Sequence, residues 1–281
     1  MKDEQSAARL QQALVERFGE SFSVDASLPG LDALARIAAH RTQRRYTDKA
    51  VDPALLRLLC ACALSAPSKS DLQQCDILIV ADAASRRAIG DLIPDMPWVA
   101  TAPVFLVFLA NGRRLKRIAE LRGKPFANDH LDQFFNAAVD AGIVLATFIC
   151  AAEAVGLGCC PISVIRDHAA KVSDLLELPE RVIPVAGMSV GWPAESGHIS
   201  PRLSLDLTVH RDRHNEGELG ARIDAYDRRR AAVHQYGRQR APERWGTADF
   251  YGWSEDKARQ YGVPQRADFG DFVRSKGFCL D

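Results

Sequence analysis

The sequence lacks the features that would indicate a nucleic-acid or membrane partner. Lys plus Arg number 36 and Asp plus Glu number 36, so no net charge attracts nucleic acid or an anionic bilayer. We find no apolar run of the roughly 20 residues that a membrane span needs, because residues 104–110 are far too few. The first residues are acidic and contain no apolar core of a secretory signal. We therefore expect a cytoplasmic protein without a nucleic-acid or membrane partner.

The sequence motifs of several common sites are also missing. No G-x-G-x-x-G follows a predicted strand, and neither a Walker lysine loop nor an H-E-x-x-H motif occurs. The seven histidines are scattered along the chain and we interpret none of them as a metal ligand, so no metal site is expected. The seven cysteines are odd in number and include no C-x-x-C pair. We interpret the cysteines as small, buried hydrophobic residues that stay reduced.

Hydrophobic periodicity predicts a single domain that contains both helices and strands, without an internal repeat or linker. The predicted helices cover residues 6–18, 31–39, 53–64, a segment from Asp82 onward, and 130–155. The predicted strands are a buried one at 77–80, one at 103–110 that is apolar on both faces, one at 183–191, and a strand-like segment at 203–210. The helix at 130–155 is apolar almost all the way round. It must therefore be buried on most faces, either within the domain or against another subunit.

The densest group of potential anion ligands is residues 40–46 (HRTQRRY). This segment packs a histidine, a hydroxyl and three guanidinium groups together, which is costly unless an anion lies among them. By itself the segment is typical of a solvated, charged helix end. A second element, however, lies far downstream, where Gly191-Trp192-Pro193 leads to Ser200-Pro201-Arg202.

Together these elements resemble the phosphate clamp of the FMN-dependent nitroreductase family. The resemblance is greatest to the NADPH-preferring, oxygen-insensitive A-type nitroreductases and the NADPH–flavin oxidoreductases. It is carried, in family order, by residues 40–44 (HRTQR), 66–73 (APSKSDLQ), 156–166 (GLGCCPISVIR), and 187–193 (GMSVGWP) with 200–202 (SPR).

The resemblance implies an α+β fold with a mixed, mostly antiparallel sheet flanked by helices, built as an intertwined homodimer. The flavin would lie at the subunit interface, C-terminal segments would reach across to the partner, and the helix at 130–155 would form the dimer core. Residues 31–281, including an Arg-rich helical tail, would be a single FMN-binding domain after an N-terminal helical extension at 1–30.

The resemblance also implies roles for individual residues around FMN. His40, Thr42 and Arg202 would bind the phosphate, with Ser200 standing where the family usually has Lys. Arg44 would hold a fixed cation at the pyrimidine edge and so favour the reduced flavin. Arg41 would contribute to FMN binding through its backbone or by lining the rim of the site.

Two loops would complete the flavin site. Ser68, Lys69 and Ser70 would approach the ring from the partner subunit. The loop Ile162-Ser163-Val164 would place a backbone N–H against N5, so that Ser163 joins Arg44 as a catalytic residue. Arg166 either tethers this loop or pairs with Asp167 on the surface.

The Arg-rich tail offers a site for the nicotinamide cofactor. Such arginines usually form a solvated helix face, but in the resembling group arginines of this region bind the 2′-phosphate of NADPH. We select Arg238, Arg240 and Arg244. Asp71 and Met96 depart from the family pattern, which has Asn and Gln at these places, and Ser200 removes one phosphate charge.

The leading hypothesis is an FMN-dependent oxidoreductase that works by ping-pong hydride transfer. NADPH, or NADH, would reduce the bound FMN and leave, and a nitroaromatic, quinone or similar small-molecule acceptor would follow. A first alternative is a flavin-binding or sensing module with little turnover. A second is another reaction on the same fold, such as reductive dehalogenation or a flavin-consuming reaction. Nucleic-acid binding through the tail is disfavoured, because acidic residues interleave with its arginines and no aromatic stacking platform accompanies them.

Overall fold

The computed structural model describes residues 2–281, which divide into two compact units. We call residues 2–40 with 198–265 the helical unit, and residues 41–197 with 266–281 the sheet unit. The helices, in chain order, are α1 (Lys2–Phe18), α2 (Leu31–Ala38), α3 (Pro53–Leu64), α4 (Ala83–Leu92), α5 (Trp98–Thr101), α6 (Arg113–Leu121), α7 (Leu131–Ala154), α8 (Ala169–Leu175), α9 (Leu205–Thr208), α10 (Leu219–Val233), α11 (Pro242–Trp245), α12 (Trp253–Tyr261) and α13 (Phe269–Ser275). The strands are β1 (Cys75–Ile79), β2 (Val104–Asn111), β3 (Gly158–Ile162) and β4 (Val182–Gly191).

The sheet unit is built on one antiparallel sheet with the strand order β1-β2-β4-β3. The predicted antiparallel character and the central position of β2 are confirmed. The strand predicted at 77–80 starts earlier, at Cys75, and is not fully buried, because it lies at the edge of the sheet and leaves Ile79 46% exposed. β3, which was not predicted as a strand, forms the opposite edge.

The two faces of the sheet pack against different helices. On β2, Leu106 and Phe108 face a core made with α3 and α7, whereas Phe105 and Val107 face a core made with α4, α5 and α8. This period of two follows from the alternation of side chains across a strand. The apolar sequence of β2 is therefore explained by burial on both faces.

α7 is the longest helix and has one face that its own chain leaves uncovered. Over residues 2–281 it is the one helix long and apolar enough to cross a membrane by length and composition, so our statement that no such run exists was wrong. Its buried residues pack against the sheet and α3, as in a core helix. Leu131, Phe135 and Val139, however, are 51%, 59% and 41% exposed, and Gly142 and Ala146 continue the exposed face. Burial within the domain, one of our two alternatives, therefore does not account for this face.

The helical unit is organised around the pair α1 and α2, and also contains α9 to α12. Within the segment that we interpreted as strand-like, 203–210, residues 205–208 instead form the short helix α9, so that interpretation was wrong. A short apolar run fits either structure, and periodicity alone does not separate them. The proposed division of the chain at residue 30 stays a prediction.

Burial separates the seven free cysteines into different groups. Cys75, Cys159 and Cys160 are buried, as expected, and no disulfide is formed. Cys62 on α3 and Cys150 on α7 are exposed. The interpretation of every cysteine as a buried hydrophobic residue is therefore wrong for these two.

Candidate active site

The basic segment after His40 is extended and lies along the edge strand β3. Thr42 forms a parallel bridge with Cys159, and the Gln43 amide donates to the Cys159 carbonyl at 2.9 Å. The Gln43 side chain packs over Gly158, where an added Cβ would lie 2.5 Å from the Gln43 Cγ. Glycine is therefore needed at 158 for this close approach. The alternative of a solvated helix end does not apply, since α2 ends at Ala38.

Within the part of the chain that the structure describes, two of the three arginines in this segment have no carboxylate partner. Arg45 pairs with Glu195, with 3.3 Å between nitrogen and oxygen. Arg41 has a buried Nε that makes no hydrogen bond, and the Arg44 guanidinium lies 5.7 Å from the Trp98 ring centre. Among residues 2–281, neither Arg41 nor Arg44 forms an ion pair. Their charges are therefore available to an anionic ligand.

β3 links Arg44 to the loop predicted to meet the reactive edge of the flavin. Ile162, the last residue of β3, is buried, whereas Ser163 is exposed and Val164 begins a 3-10 turn. Burial raises the pKa of the Cys160 thiol, and the charge of Arg44 partly offsets this effect. Arg44 thus lies within electrostatic range of the strand that leads to Ser163.

Arg166 tethers the turn after β3 to the neighbouring strand. Its guanidinium donates to the Val185 carbonyl on β4, and its amide donates to the Ser163 carbonyl at 3.0 Å. Asp167 pairs with Arg266 instead. Burial, followed by the charge of Arg266, lowers the pKa of Arg166. Of our two alternatives for Arg166, the structure supports the tether.

The loop at 68–74 is held by a buried carboxylate on α7. Asp140, only 2% exposed, accepts hydrogen bonds from Ser68 Oγ at 2.6 Å, the Gln74 amide at 3.1 Å and the Lys69 amide at 3.3 Å. The loop contains three non-glycine residues with positive φ, namely Ser70, Asp71 and Gln73. Such conformations persist where surrounding contacts impose them, and Asp140 holds the residues on both sides of these three. The loop also borders a cavity of about 610 Å³ within the sheet unit.

In the helical unit, Arg17 brings together three residues predicted to serve the phosphate. Its guanidinium donates to the His40 carbonyl at 2.7 Å and to the Ser200 carbonyl at 3.0 Å, and its own carbonyl accepts from the Arg202 amide at 2.7 Å. The Arg202 guanidinium donates only to two nearby carbonyls, each at 3.2 Å. It forms no ion pair with any residue from 2 to 281. The fourth predicted phosphate ligand, Thr42, belongs to the sheet unit.

The structure groups two of the three arginines predicted to bind NADPH. Arg238 and Arg240 line a cavity of about 990 Å³ in the helical unit, and Arg244 does not. Arg240 is partly neutralised by the buried Asp256, with 2.8 Å between Nε and Oδ1. The Arg244 guanidinium lies 4.6 Å from the Trp245 ring centre. Arg238 is therefore the least compensated charge of the three.

One further motif is present in the sequence but carries no chemistry. Residues 187–191 (GMSVG) have the G-x-S-x-G spacing of a hydrolase nucleophile elbow. Ser189 lies inside β4, is fully buried, and donates weakly to the Trp98 carbonyl at 3.5 Å. A nucleophile on this motif needs an exposed turn, so Ser189 is not a candidate.

The donor set of the chain fits a flavin mononucleotide. FMN carries a phosphate and a ring edge that becomes anionic on reduction, and both need positive donors. Arg41 and Arg44 in the sheet unit, and Arg202 in the helical unit, are arginines without a carboxylate partner among residues 2–281. Across the same residues, no group of three or more His, Cys, Asp or Glu is placed to hold a metal ion.

Neither Arg17 nor Asp140 was predicted from the sequence to be important for the site. Asp140 had a visible signal, because an acid in the middle of an apolar helix must find hydrogen-bond partners when it is buried. Arg17 had none, since an arginine in the last turn of an amphipathic helix ordinarily lies in solvent near the helix C-terminus.

Comparisons with known proteins agree with the residue pattern. Residues 37–192 match the Nitroreductase family, and residues 200–281 match the Nitroreductase family, C-terminal domain. An FMN reductase [NAD(P)H] of Bacillus subtilis is 32% identical over 89% of this chain and 99% of its own length. An oxygen-insensitive NADPH nitroreductase of Salmonella typhimurium is 35% identical over 67% of this chain and 78% of its own. The solved structure of B. megaterium NfrA2 superposes with a TM-score of 0.80 at 34% identity, covering 89% of this chain and 98% of the other. The chain therefore belongs to the nitroreductase family.

Proposed function

We propose that the protein is an FMN-dependent oxidoreductase that uses NAD(P)H, with NADPH favoured, to reduce nitroaromatics, quinones or similar acceptors. The observation that carries the proposal is the pair of uncompensated guanidiniums, Arg41 and Arg44, held in an extended segment beside β3. Membership of the nitroreductase family supports it. So do the relatives named as FMN reductase and NADPH nitroreductase.

FMN, when bound, would accept and return hydride at N5 and would carry extra negative charge along its pyrimidine edge. We assign Arg44 to that edge, because its cation then stabilises charge that appears only on reduction. His40, Thr42, Ser200 and Arg202 are assigned to the phosphate.

The remaining predicted contacts have supporting roles. The turn at Ser163, tethered by Arg166, would present its backbone to N5. Arg238 and Arg240 would attract the 2′-phosphate of NADPH at the helical-unit cavity.

An absorbance spectrum tests the central claim. The purified protein, or the protein reconstituted with FMN, is expected to be yellow, to bleach on anaerobic addition of NADPH, and to recover when a nitroaromatic or quinone is added. Absence of colour and of FMN uptake would overturn the proposal. Slow bleaching in stopped flow would instead favour the flavin-binding or sensing module.

Paired variants test the assignment of Arg44. Arg44→Ala should lower the flavin potential and slow reduction by NADPH, whereas Arg45→Ala, whose charge is already paired with Glu195, should change neither. Arg202→Ala should loosen FMN by about 1.5–3 kcal/mol, the scale of a lost charged hydrogen bond, without changing the potential. Equal losses of affinity from Arg44→Ala and Arg202→Ala, with no change of potential, would show that Arg44 is misplaced.

We also propose a homodimer in which the exposed face of α7 packs against a second copy. Leu131, Phe135 and Val139 expose apolar surface, and Gly142 and Ala146 are small enough to allow close helix approach. In such a dimer, residues 68–70 of one copy would serve the flavin of the other.

Light scattering of the purified protein tests the dimer. A Cβ at Gly142 meets no atom within 4 Å in the single chain, so Gly142→Trp should leave the fold intact and still separate the subunits. Leu121→Trp, at a 78% exposed position on α6, is the control and should remain dimeric. A monomeric wild type would refute the proposal.

We also propose that the protein lies in the cytoplasm, where its cysteines stay reduced.

A further inference from the structure

Helix α1 lies outside both segments that match the family, 37–192 and 200–281, yet it is well packed. Its buried side chains are Ala7, Leu10 and Ala13. They form one cluster with α2 and with Ile199, which is 5% exposed. The helix therefore packs against the residue just before the Ser200–Arg202 element.

Arg17, in the last turn of α1, satisfies three backbone carbonyls at once. Its side chain is 7% exposed and donates to the Ala38 carbonyl at 2.8 and 2.9 Å, the His40 carbonyl at 2.7 Å and the Ser200 carbonyl at 3.0 Å. Ala38 ends α2, so the guanidinium also caps that helix. Without Arg17, these carbonyls would lose charge-assisted hydrogen bonds that water reaches poorly.

The main chain at Arg17 also fixes the end of the Ser200–Arg202 segment. The Arg17 carbonyl accepts from the Arg202 amide at 2.7 Å and from Arg229 Nη1 at 3.1 Å, and Arg229 also donates to the Arg202 carbonyl. Gly19, with φ of 74°, leaves room for this arrangement, since an added Cβ would lie 2.4 Å from the Arg229 Cδ. The backbone of Arg202 is thus fixed at both its N–H and its carbonyl.

We propose that α1, acting through Arg17, is a positioning element for the phosphate of FMN. This inference rests on the proposed function. Arg17 does not itself bind the phosphate. It holds the backbone from which the His40 and Arg202 side chains extend. Because this backbone is already ordered before FMN binds, the conformational entropy lost on binding is smaller. The same ligand without its phosphate gains nothing from this arrangement.

Comparison of FMN with riboflavin isolates the effect, because the two share the ring and differ by the phosphate. We would measure both dissociation constants by quenching of flavin fluorescence in the wild type, Arg17→Ala and Arg17→Lys. Arg9→Ala, an exposed arginine on the same helix, is the matched control. Arg17→Ala should weaken FMN at least tenfold and leave riboflavin unchanged. Arg17→Lys should lie between, since one ammonium cannot span the three carbonyls, and Arg9→Ala should match the wild type.

The outcomes separate this inference from the proposed function. A wild type that binds FMN tightly, with Arg17→Ala retaining the full preference for FMN over riboflavin, overturns the inference alone. Equal weakening of both ligands also overturns it, because that result means a general loss of structure. A wild type that binds neither ligand overturns the proposed function and the inference with it. If Arg17→Ala does not fold, Arg17→Lys carries the same comparison.

Discussion

Replacement of Asp140 by alanine should release the 68–74 loop and destabilise the sheet unit. Asp140 is buried on α7 and accepts three hydrogen bonds from the loop, from Ser68 Oγ and the amides of Lys69 and Gln74. Among the side chains of residues 3–281 it forms no ion pair. Its charge is therefore balanced by hydrogen bonds alone.

The expected loss follows from the geometry of these bonds. The contacts at 2.6 and 3.1 Å are of ordinary length, and each hydrogen bond to a charged group contributes about 1.5–3 kcal/mol. The contact at 3.3 Å is long and is left out of the sum. Water can reach the freed donors through the neighbouring cavity, and removal of the carboxylate ends its desolvation cost. We therefore expect Asp140→Ala to lower the free energy of unfolding by about 2–4 kcal/mol, and Asp140→Asn, which keeps one acceptor oxygen, by about half of that.

Asp132 provides a control on the same helix and the same loop. It pairs with Lys69 Nζ at 3.1 Å, but the two side chains are 56% and 51% exposed. A solvent-screened pair of this kind contributes little, so Asp132→Ala should leave the unfolding transition almost unchanged.

Urea unfolding and amide hydrogen exchange would test the prediction together. In Asp140→Ala we expect a lower unfolding midpoint and faster exchange at Lys69 and Gln74, with exchange in β2 altered only through global stability. Unchanged protection of the Gln74 amide in Asp140→Ala, or an equal loss of stability in Asp132→Ala, would refute the reasoning.

Three further predictions concern close packing, thiol reactivity and pH. Gly158→Ala should lower the free energy of unfolding by about 1–3 kcal/mol through overpacking, because the added Cβ would lie 2.5 Å from the Gln43 Cγ. Gly220→Ala is the control, since a Cβ there meets no atom within 4 Å, and thermal unfolding compares the two variants. Alkylation at pH 8 followed by peptide mass spectrometry should label the exposed Cys62 first and leave Cys75 unmodified, since burial raises the pKa of Cys75 to about 12. Burial raises the pKa of Asp256, but hydrogen bonds and neighbouring cations outweigh burial and leave that pKa below its ordinary value. Asp256 therefore stabilises the fold above the ordinary carboxyl pKa, and this contribution is lost as the pH falls through the lowered value. In Asp256→Asn, the difference in unfolding free energy between pH 7 and pH 3 should be smaller than in the wild type. An unchanged difference would show that ionisation of Asp256 does not contribute to the pH dependence of stability.

Local signals in the sequence were sufficient to identify α1 to α4, α7, β1, β2 and β4, whereas α5, α6 and α8 were not predicted. Asp52 followed by Pro53 specified the start of α3, and the Asp52 side chain does accept from the Ala54 amide at 2.8 Å. The doubly apolar run of β2 indicated a central strand, because only burial on both faces explains such a sequence. The errors fell on short segments. β3 has five residues, including Pro161, and α9 has four, so neither contains a full period from which its type can be read.

The motifs alone also placed the family and the basic segment, because the residue types and their order along the chain carry that information. They could not show which charges remain free. Arg45 is neutralised by Glu195 and Arg44 is not, and Arg166 turns away from its neighbour Asp167 towards β4. Such pairings join residues that are distant in sequence, and they depend on which surfaces pack together, not on local periodicity. The same holds for Arg17 and Asp140, whose roles arise only when folding brings the backbone of a distant segment within hydrogen-bond distance of each buried charged group.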